Sequence, residues 1–323
     1  MRAIVCRDFA GPDALVVGDL PEPTPAPHEI VLQVEAAAVS FMDRLMVSGA
    51  YQMRPQLPFA PGTDAAGVVT SVGEHVSAFA VGDRVVGSAW FGAFAEKMAI
   101  PAGRCAKVPE DIPLTTAATI PYAYVTAWHA FVDRAPVRAG ETVVVTGAGG
   151  GAGLAAVDVA NALGGRVIGV VGSAQKVVHV ELAGAASVLV GPDIRDPIKE
   201  LTDGRGADVC FETVGGDLFL TMGRLMARGG RLMPIGFASG DIPKLAMNLP
   251  LLKGYGVVGV FTGAWADEEP QAMGEALRQI LDLMGDGSLA PRVHEVMPLE
   301  NAADAMAAIA ARDVIGRIVL TPR

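Results

Sequence analysis

Thr142-Val143-Val144-Val145-Thr146-Gly147-Ala148-Gly149-Gly150-Gly151-Ala152-Gly153-Leu154 decides how the rest of the chain is read. Three valines between two threonines form a β-branched run with no polar alternate, which suits a strand buried on both faces. The glycine-rich turn 147–153 follows it. Residues 154–163 carry a helical pattern, and Gly164-Gly165 stops it. Arg166-Val167-Ile168-Gly169-Val170-Val171 is the next strand. Glycines between such a strand and helix allow a tight turn and let the backbone approach a pyrophosphate. The helix N-terminus then offers free N–H groups and a favourable dipole. A glycine-rich turn that merely packs helix on sheet is the other reading. The strand-turn-helix-strand context favours the first.

Downstream, strand patterns recur at 187–190, 209–212, 231–235 and 255–261, separated by helical stretches. That order predicts a parallel sheet with helices on both faces. A helix is expected from 270 to 284, and Gly316-Arg317-Ile318-Val319-Leu320 reads as a last strand. Upstream, the chain to about residue 112 is β-rich. Ile30-Val31-Leu32-Gln33-Val34-Glu35-Ala36 alternates at its polar positions as a half-buried strand would. The segments 67–73 and 83–87 are short apolar runs between turn residues. Pro21-Glu22-Pro23-Thr24-Pro25-Ala26-Pro27 is an extended connector. Thr115 or Thr116 is a candidate N-cap for a helical stretch over 122–131, which Pro121 would kink or divide.

Composition bounds the answer. A chain of 323 residues with 51% hydrophobic content suits two domains. Mean hydropathy is +0.40, yet the most apolar region, 142–174, is broken by Asp158, Asn161 and Arg166. A spanning helix needs roughly 20 nearly uninterrupted apolar residues. The first residues, Met1 to Asp8, lack the apolar core of a signal peptide. A soluble, cytoplasmic protein is expected. The net charge of −10 argues against nucleic acid as a partner. Cys6, Cys105 and Cys210 are odd in number and far apart, so no disulfide framework is expected.

The end of the second strand bears on the cofactor. A fold that prefers NAD usually puts an acid there for the ribose 2′-hydroxyl. Here the chain reads Val170-Val171-Gly172-Ser173-Ala174-Gln175-Lys176, with a hydroxyl and a lysine instead. Ser173 and Lys176 match a dianionic 2′-phosphate, which argues for NADPH. Ser173 as a helix N-cap and Lys176 as a solvated charge is the alternative, and both can hold together.

Further segments carry a resemblance. They are Pro58-Phe59-Ala60-Pro61-Gly62-Thr63-Asp64-Ala65-Ala66-Gly67-Val68-Val69, Val81-Gly82-Asp83-Arg84-Val85, Gly92-Ala93-Phe94-Ala95-Glu96, the spacing Gly147-x-x-Gly150-x-x-Gly153, and the closing 316–320 strand. Together they resemble the medium-chain dehydrogenase/reductase superfamily, in its zinc-independent quinone oxidoreductase branch, which includes the zeta-crystallins. The resemblance covers essentially the whole chain. It implies an α/β fold in which a Rossmann-type doubly wound parallel sheet is inserted into a GroES-like β-rich catalytic domain. The expected division is 1–122 catalytic, 123–262 NADPH-binding and 263–323 catalytic again, with NADPH in the cleft. Thr126 is then expected near the nicotinamide and Thr213 and Val214 near the adenosine side. Gly236, Phe237, Val260 and Phe261 would line the nicotinamide end. With Gly147, Gly149, Gly150, Gly151, Ala152, Gly172, Ser173, Lys176, Ser40 and Arg317, these make up the expected cofactor site. The branch usually carries an aromatic or basic residue near Gly191-Pro192 for the 2′-phosphate. This chain has none there, which leaves Lys176 as the main charge.

Zinc-dependent members of the superfamily use a cysteine and a histidine–glutamate pair where this chain has Ser40 and Thr63-Asp64. Neither Ser40 nor Thr63 is a normal zinc ligand, and three cysteines cannot make a four-cysteine site. No metal is expected. Without a Lewis acid, a conjugated acceptor is easier to reduce than a plain ketone, because hydride adds at the β-carbon and charge spreads to oxygen. Ser40 replaces the branch's usual asparagine and is a candidate for bonding the nicotinamide ribose or the substrate oxygen. Tyr51 follows the branch's Gly-x-Tyr pattern. Its phenol is either a donor to the forming enolate or only an aromatic wall. Asp43 either orients Arg44 or backbone, or shuttles protons. Met42, Tyr51, Trp90 and Phe237 are the expected substrate pocket. The expected activity is NADPH-dependent hydride transfer to a quinone or small α,β-unsaturated carbonyl. The alternatives are an enoyl-thioester reductase and an NADPH-binding protein with little catalysis. By resemblance, the 255–261 strand is an edge through which a homodimer pairs its sheets.

Overall fold

The computed structural model describes residues 1–322. The chain divides into two compact units, Met1–Val125 with Gly263–Arg323, and Thr126–Thr262.

The Thr126–Thr262 unit is built on the stretch quoted first. Strand Thr142–Thr146 lies inside a parallel sheet, and Val143, Val144 and Val145 are fully buried. The six strands run in the order Ser187–Val190, Arg166–Val171, Thr142–Thr146, Ala207–Glu212, Met226–Pro234, Gly256–Val257. Every neighbouring pair is parallel. The order reverses at Thr142–Thr146, from which the chain first winds one way and then the other. Right-handed crossovers therefore put the two sets of helices on opposite faces. This is the doubly wound arrangement, and ligands bind beyond the strand ends at its reversal point. Helix Gly151–Ala162 follows the glycine turn and packs on strands Thr142–Thr146 and Arg166–Val171.

The other unit holds a seven-stranded sheet around Glu29–Ala38. That strand pairs antiparallel with Asp64–Val72 along one edge. Along its other edge it pairs first with Lys97–Pro101 and then with Arg317–Thr321. Ala38 thus stands opposite Asp64 on one side and Val319 on the other. Strands from both parts of this unit's sequence therefore converge where Glu29–Ala38 ends, immediately before Ser40. The core beneath contains Leu32, Val34, Met46, Phe94, Met98, Ile318 and Leu320.

Several expectations shift in detail. Pro121 does not divide a helix. It stands in the first turn of Ile120–Trp128, where a missing N–H costs nothing. Neither Thr115 nor Thr116 caps that helix. Both lie inside a short helix, Leu114–Ala117, that starts after Pro113. Helix Ile120–Trp128 runs on into a π-helical turn, His129–Arg134. The expected 255–261 edge strand is paired only over Gly256–Val257. Strand Glu29–Ala38 is buried on both faces except near Gln33 and Glu35, because sheet neighbours and core flank it. No helix among the described residues is long and apolar enough to cross a membrane.

At the N-terminal ends of the parallel strands, Arg231 fixes the register. Its two terminal nitrogens donate to the two oxygens of Glu141, each at 2.7 Å, and to the carbonyl of Pro136 at 2.6 Å. The guanidinium holds the Glu141 carboxyl below its ordinary range. Arg231→Lys keeps the charge and loses the fork. It should cost about 1–3 kcal/mol, read as a lower urea midpoint at unchanged slope.

Candidate functional site

In the Thr126–Thr262 unit the expected cofactor residues gather at the C-terminal ends of the strands. Gly150 is the N-cap of helix Gly151–Ala162, so the N–H groups of the first helical turn have no intrahelical partners. A side chain at Gly153 would place its Cβ 2.2 Å from the carbonyl oxygen of Gly147, so only glycine lets the helix start this close to the turn. Beside the turn, the Thr213 hydroxyl donates to the carbonyl of Thr146 at 2.8 Å. The Thr213 amide donates to Thr146 Oγ1 at 3.0 Å. Ala238 N–H donates to the carbonyl of Thr213 and Ser239 N–H to that of Val214, which draws the Gly236-Phe237 segment onto the same rim.

Glu212 organises this rim, and the sequence reading did not single it out. It is fully buried and accepts from Thr146 Oγ1 at 2.9 Å and from the amides of Val214 and Gly215. Burial raises its carboxyl, and those donors pull it back. The signal was an acid closing the apolar strand Val209-Cys210-Phe211.

Lys176 is not a solvated charge: it is 8% exposed. A Cβ at Gly149 would lie 2.6 Å from Lys176 Cδ, so the alkyl stem runs against the glycine turn. Ser173 precedes the short turn Ala174–Lys176, and its side chain makes no capping bond there. Thr126 is buried, and Phe261 is 51% exposed beyond the edge strand.

In the other unit, Ser40 and Asp43 form a capping box on helix Phe41–Val47. Asp43 Oδ2 accepts from the Ser40 amide at 2.6 Å and from the Ser40 hydroxyl at 2.7 Å. Asp43 therefore engages Ser40 and not Arg44. Across from it, Arg317 donates from Nη2 to Asp64 Oδ2 at 2.9 Å and from Nε to the carbonyl of Val39 at 3.0 Å. Asp64 also accepts from the Tyr122 amide and the Thr63 hydroxyl. The Arg317 guanidinium lies 5.6 Å from the centroid of the Tyr122 ring. Arg317 Nη1 and Asp43 Oδ1 are buried without a hydrogen-bond partner. Two buried carboxylates thus share one guanidinium. Burial pushes the Asp43 carboxyl up to about 7, with Asp64 adding to the rise and Ser40 and Arg317 opposing it. The Asp64–Arg317 pair was readable only as two opposite charges, each heading an otherwise apolar strand.

Tyr51 is partly buried, which raises its phenol and keeps the proton on it at neutral pH. Its ring is 6.3 Å from that of Trp90, tilted by 50°. Met42 is buried beside Asp43 on its helix. Phe237 belongs to the other unit, where its ring edge meets Gly215. Ser40 and Thr63 present hydroxyls that are already bonded to Asp43 and Asp64. No group of three or more histidine, cysteine, aspartate or glutamate side chains among the described residues is placed to hold a metal.

Two family descriptions match the chain. Residues 26–110 match the alcohol dehydrogenase GroES-like domain, and residues 151–279 match the zinc-binding dehydrogenase domain. A quinone oxidoreductase-like protein 2 homolog of Nematostella vectensis is 35% identical, over 100% of this chain and 89% of its own. A mycobacterial protein solved in complex with NADPH superposes with a TM-score of 0.94 at 31% identity, covering 100% of both chains. The Escherichia coli quinone oxidoreductase complexed with NADPH gives 0.92 at 28% identity, again over 100% of both.

Asp43 gives the fold a pH dependence. Its carboxyl titrates near 7 in the folded chain, against 3.8 ordinarily. Between those values the folded state holds more protons than the unfolded, so stability falls as pH rises. Asp43→Asn can still accept from the Ser40 amide and removes the titration. Its melting temperature relative to wild type should rise from pH 5 to about pH 7 and level off above that. A difference that stays constant with pH would show Asp43 to be ionised throughout.

Proposed function

The chain belongs to the quinone oxidoreductase-like members of the medium-chain dehydrogenase/reductase superfamily, and from that membership we propose that it is an NADPH-dependent reductase of quinones or small α,β-unsaturated carbonyls. One observation carries the cofactor side of this reading. Lys176 is held against the glycine turn, at the end of a strand that carries no acid. A 2′-phosphate would gain a fixed cation there and meet no acid from residues 170–176. Ser173, whose hydroxyl is not spent on a cap, would add a donor beside Gly172.

The remaining residues divide the work. The amides at Gly149, Gly151 and Ala152 would meet the pyrophosphate, with Gly147 and Gly150 closing the turn through the Gly150 amide and the Gly147 carbonyl. Thr213 and Val214 would border the adenosine, and Thr126, Gly236, Phe237, Val260 and Phe261 the nicotinamide. Arg317 Nη1, which has no hydrogen-bond partner, would be left to donate to an anionic group. NADPH when bound supplies the hydride. What the chain must supply is orientation, a dry surface and a proton. Met42, Trp90 and Tyr51 would supply an apolar wall. Tyr51 keeps its phenolic proton and would donate it to the oxygen on which charge develops. Ser40, whose own proton goes to Asp43, would accept from a hydroxyl of the nicotinamide ribose. The chemistry requires no zinc, and the hydroxyls of Ser40 and Thr63 are poor ligands for it.

The short edge strand Gly256–Val257 leaves an open sheet edge, and Val257, Phe261, Leu251 and Leu252 near it are exposed. Covering that edge with a second copy would form a homodimer. Light scattering should then read twice the chain mass.

The direct test is NADPH oxidation against quinones, short enones and enoyl-CoAs, with NADH in parallel. Turnover of quinones or enones with NADPH preferred is expected. Exclusive turnover of enoyl-CoAs would move the assignment to an enoyl-thioester reductase, and NADPH binding without turnover of any acceptor would remove the activity. Lys176→Ala should raise the KM for NADPH about 10-fold or more and leave that for NADH within about twofold. Tyr51→Phe should lower kcat by about 10-fold or more on enones. Full retention of kcat would reduce Tyr51 to a wall.

A further inference from the structure

Trp90 is fixed from three directions by parts of the chain far from it in sequence. Its indole N–H donates to the Asp267 carboxylate, at 3.0 Å to Oδ2 and 3.2 Å to Oδ1. Its six-membered ring fills a notch at Gly263. A Cβ there would lie 2.3 Å from Trp90 Cη2 and 3.0 Å from Cζ3. Its third neighbour is the Tyr51 ring. Gly263 and Asp267 both belong to helix Thr262–Glu268. Asp267 is held in turn by Arg104, which is 7% exposed. Arg104 pairs with the Asp267 carboxylate and donates from Nε to the carbonyl of Ala266 at 3.0 Å. A buried guanidinium thus holds the carboxylate, the carboxylate holds the indole, and the indole holds its angle to Tyr51.

An aromatic ring left free to rotate would give a planar ligand no constant face. One held at its N–H and seated in a notch presents the same face each time. This saves the ordering cost that a mobile wall would impose on binding. Offset and tilted aromatic contacts depend on that geometry.

We propose that Asp267 and Gly263 are specificity-determining positions: by fixing Trp90 against Tyr51 they favour acceptors with a flat conjugated ring over open-chain ones. The proposal rests on the reading above that Tyr51 and Trp90 face the acceptor. Asp267 acts only through Trp90 and is a positioning residue.

Two variants probe the clamp by unrelated routes. Asp267→Ala removes the acceptor of the indole proton but leaves Arg104 buried and unpaired, which threatens folding. Gly263→Ala leaves every charge in place, has no backbone obstacle in a helix, and forces Trp90 out of its notch. In a chain carrying Trp128→Phe and Trp265→Phe, Trp90 emission should shift to the red in both variants. For a naphthoquinone over butenone, the ratio of kcat/KM values should fall about fivefold to tenfold in both. In a Trp90→Phe background, whose side chain has no N–H and reaches less far, the same substitutions should change that ratio by less than about twofold. Unchanged emission overturns the clamp. An unchanged ratio, or an equal fall in the Trp90→Phe background, overturns the role in specificity. If the wild type reduces neither acceptor, the proposed function has failed and the clamp has not. Quenching of Trp90 emission by bound naphthoquinone then decides, with weaker binding expected in both variants and equal binding overturning the proposal.

Discussion

A single buried guanidinium holds the non-Rossmann unit to its architecture. Arg317 comes from the last strand, Asp64 from a strand made far earlier, and Val39 from just past the end of the strand between them. Each is placed by sheet register: Ala38 faces Asp64 on one side and Val319 on the other. With both side chains nearly or wholly out of water, neither charge is tolerable without the other. Asp43, the second carboxylate in reach, is then left with its proton near neutrality. The cap on Ser40, the start of helix Phe41–Val47 and the seating of Tyr122 all sit around this one pairing.

The sequence was most legible where local chemistry and global fold agree. Thr142–Thr146, Arg166–Val171 and the start of Gly151–Ala162 could be read because β-branched runs, glycines and a helical period each speak for the same answer. The edge was misjudged for a related reason. The 255–261 run looks like strand throughout, but a terminal strand needs a neighbour, and only Gly256–Val257 has one within this chain. Pro121 misled in the opposite sense, since a proline that breaks a helix interior is harmless in its first turn.

The candidate site divides along the same line. Residues whose roles follow from a motif, such as Gly150, Gly153, Ser173 and Lys176, were visible in the sequence. The residues that support them were not. Glu212 takes the Thr146 hydroxyl across a sheet neighbour, and Asp267 reaches Trp90 across a separation of 177 residues. Such pairings are products of register and crossover, and no window of sequence contains both partners. A buried acid at the end of an apolar strand is the clue that recurs, at Asp64 and at Glu212 alike.

The placement of the final strand orders events during synthesis. Arg317–Thr321 does not decorate an edge. It lies between Val293–Pro298 and Glu29–Ala38 inside the seven-stranded sheet. All of Thr126–Thr262 must leave the ribosome before that slot can be filled. The parallel sheet, whose strands arrive in one continuous stretch, can therefore close first. Meanwhile the apolar strands made at the start wait with an unpaired edge, which is the period of greatest exposure to aggregation and to chaperones.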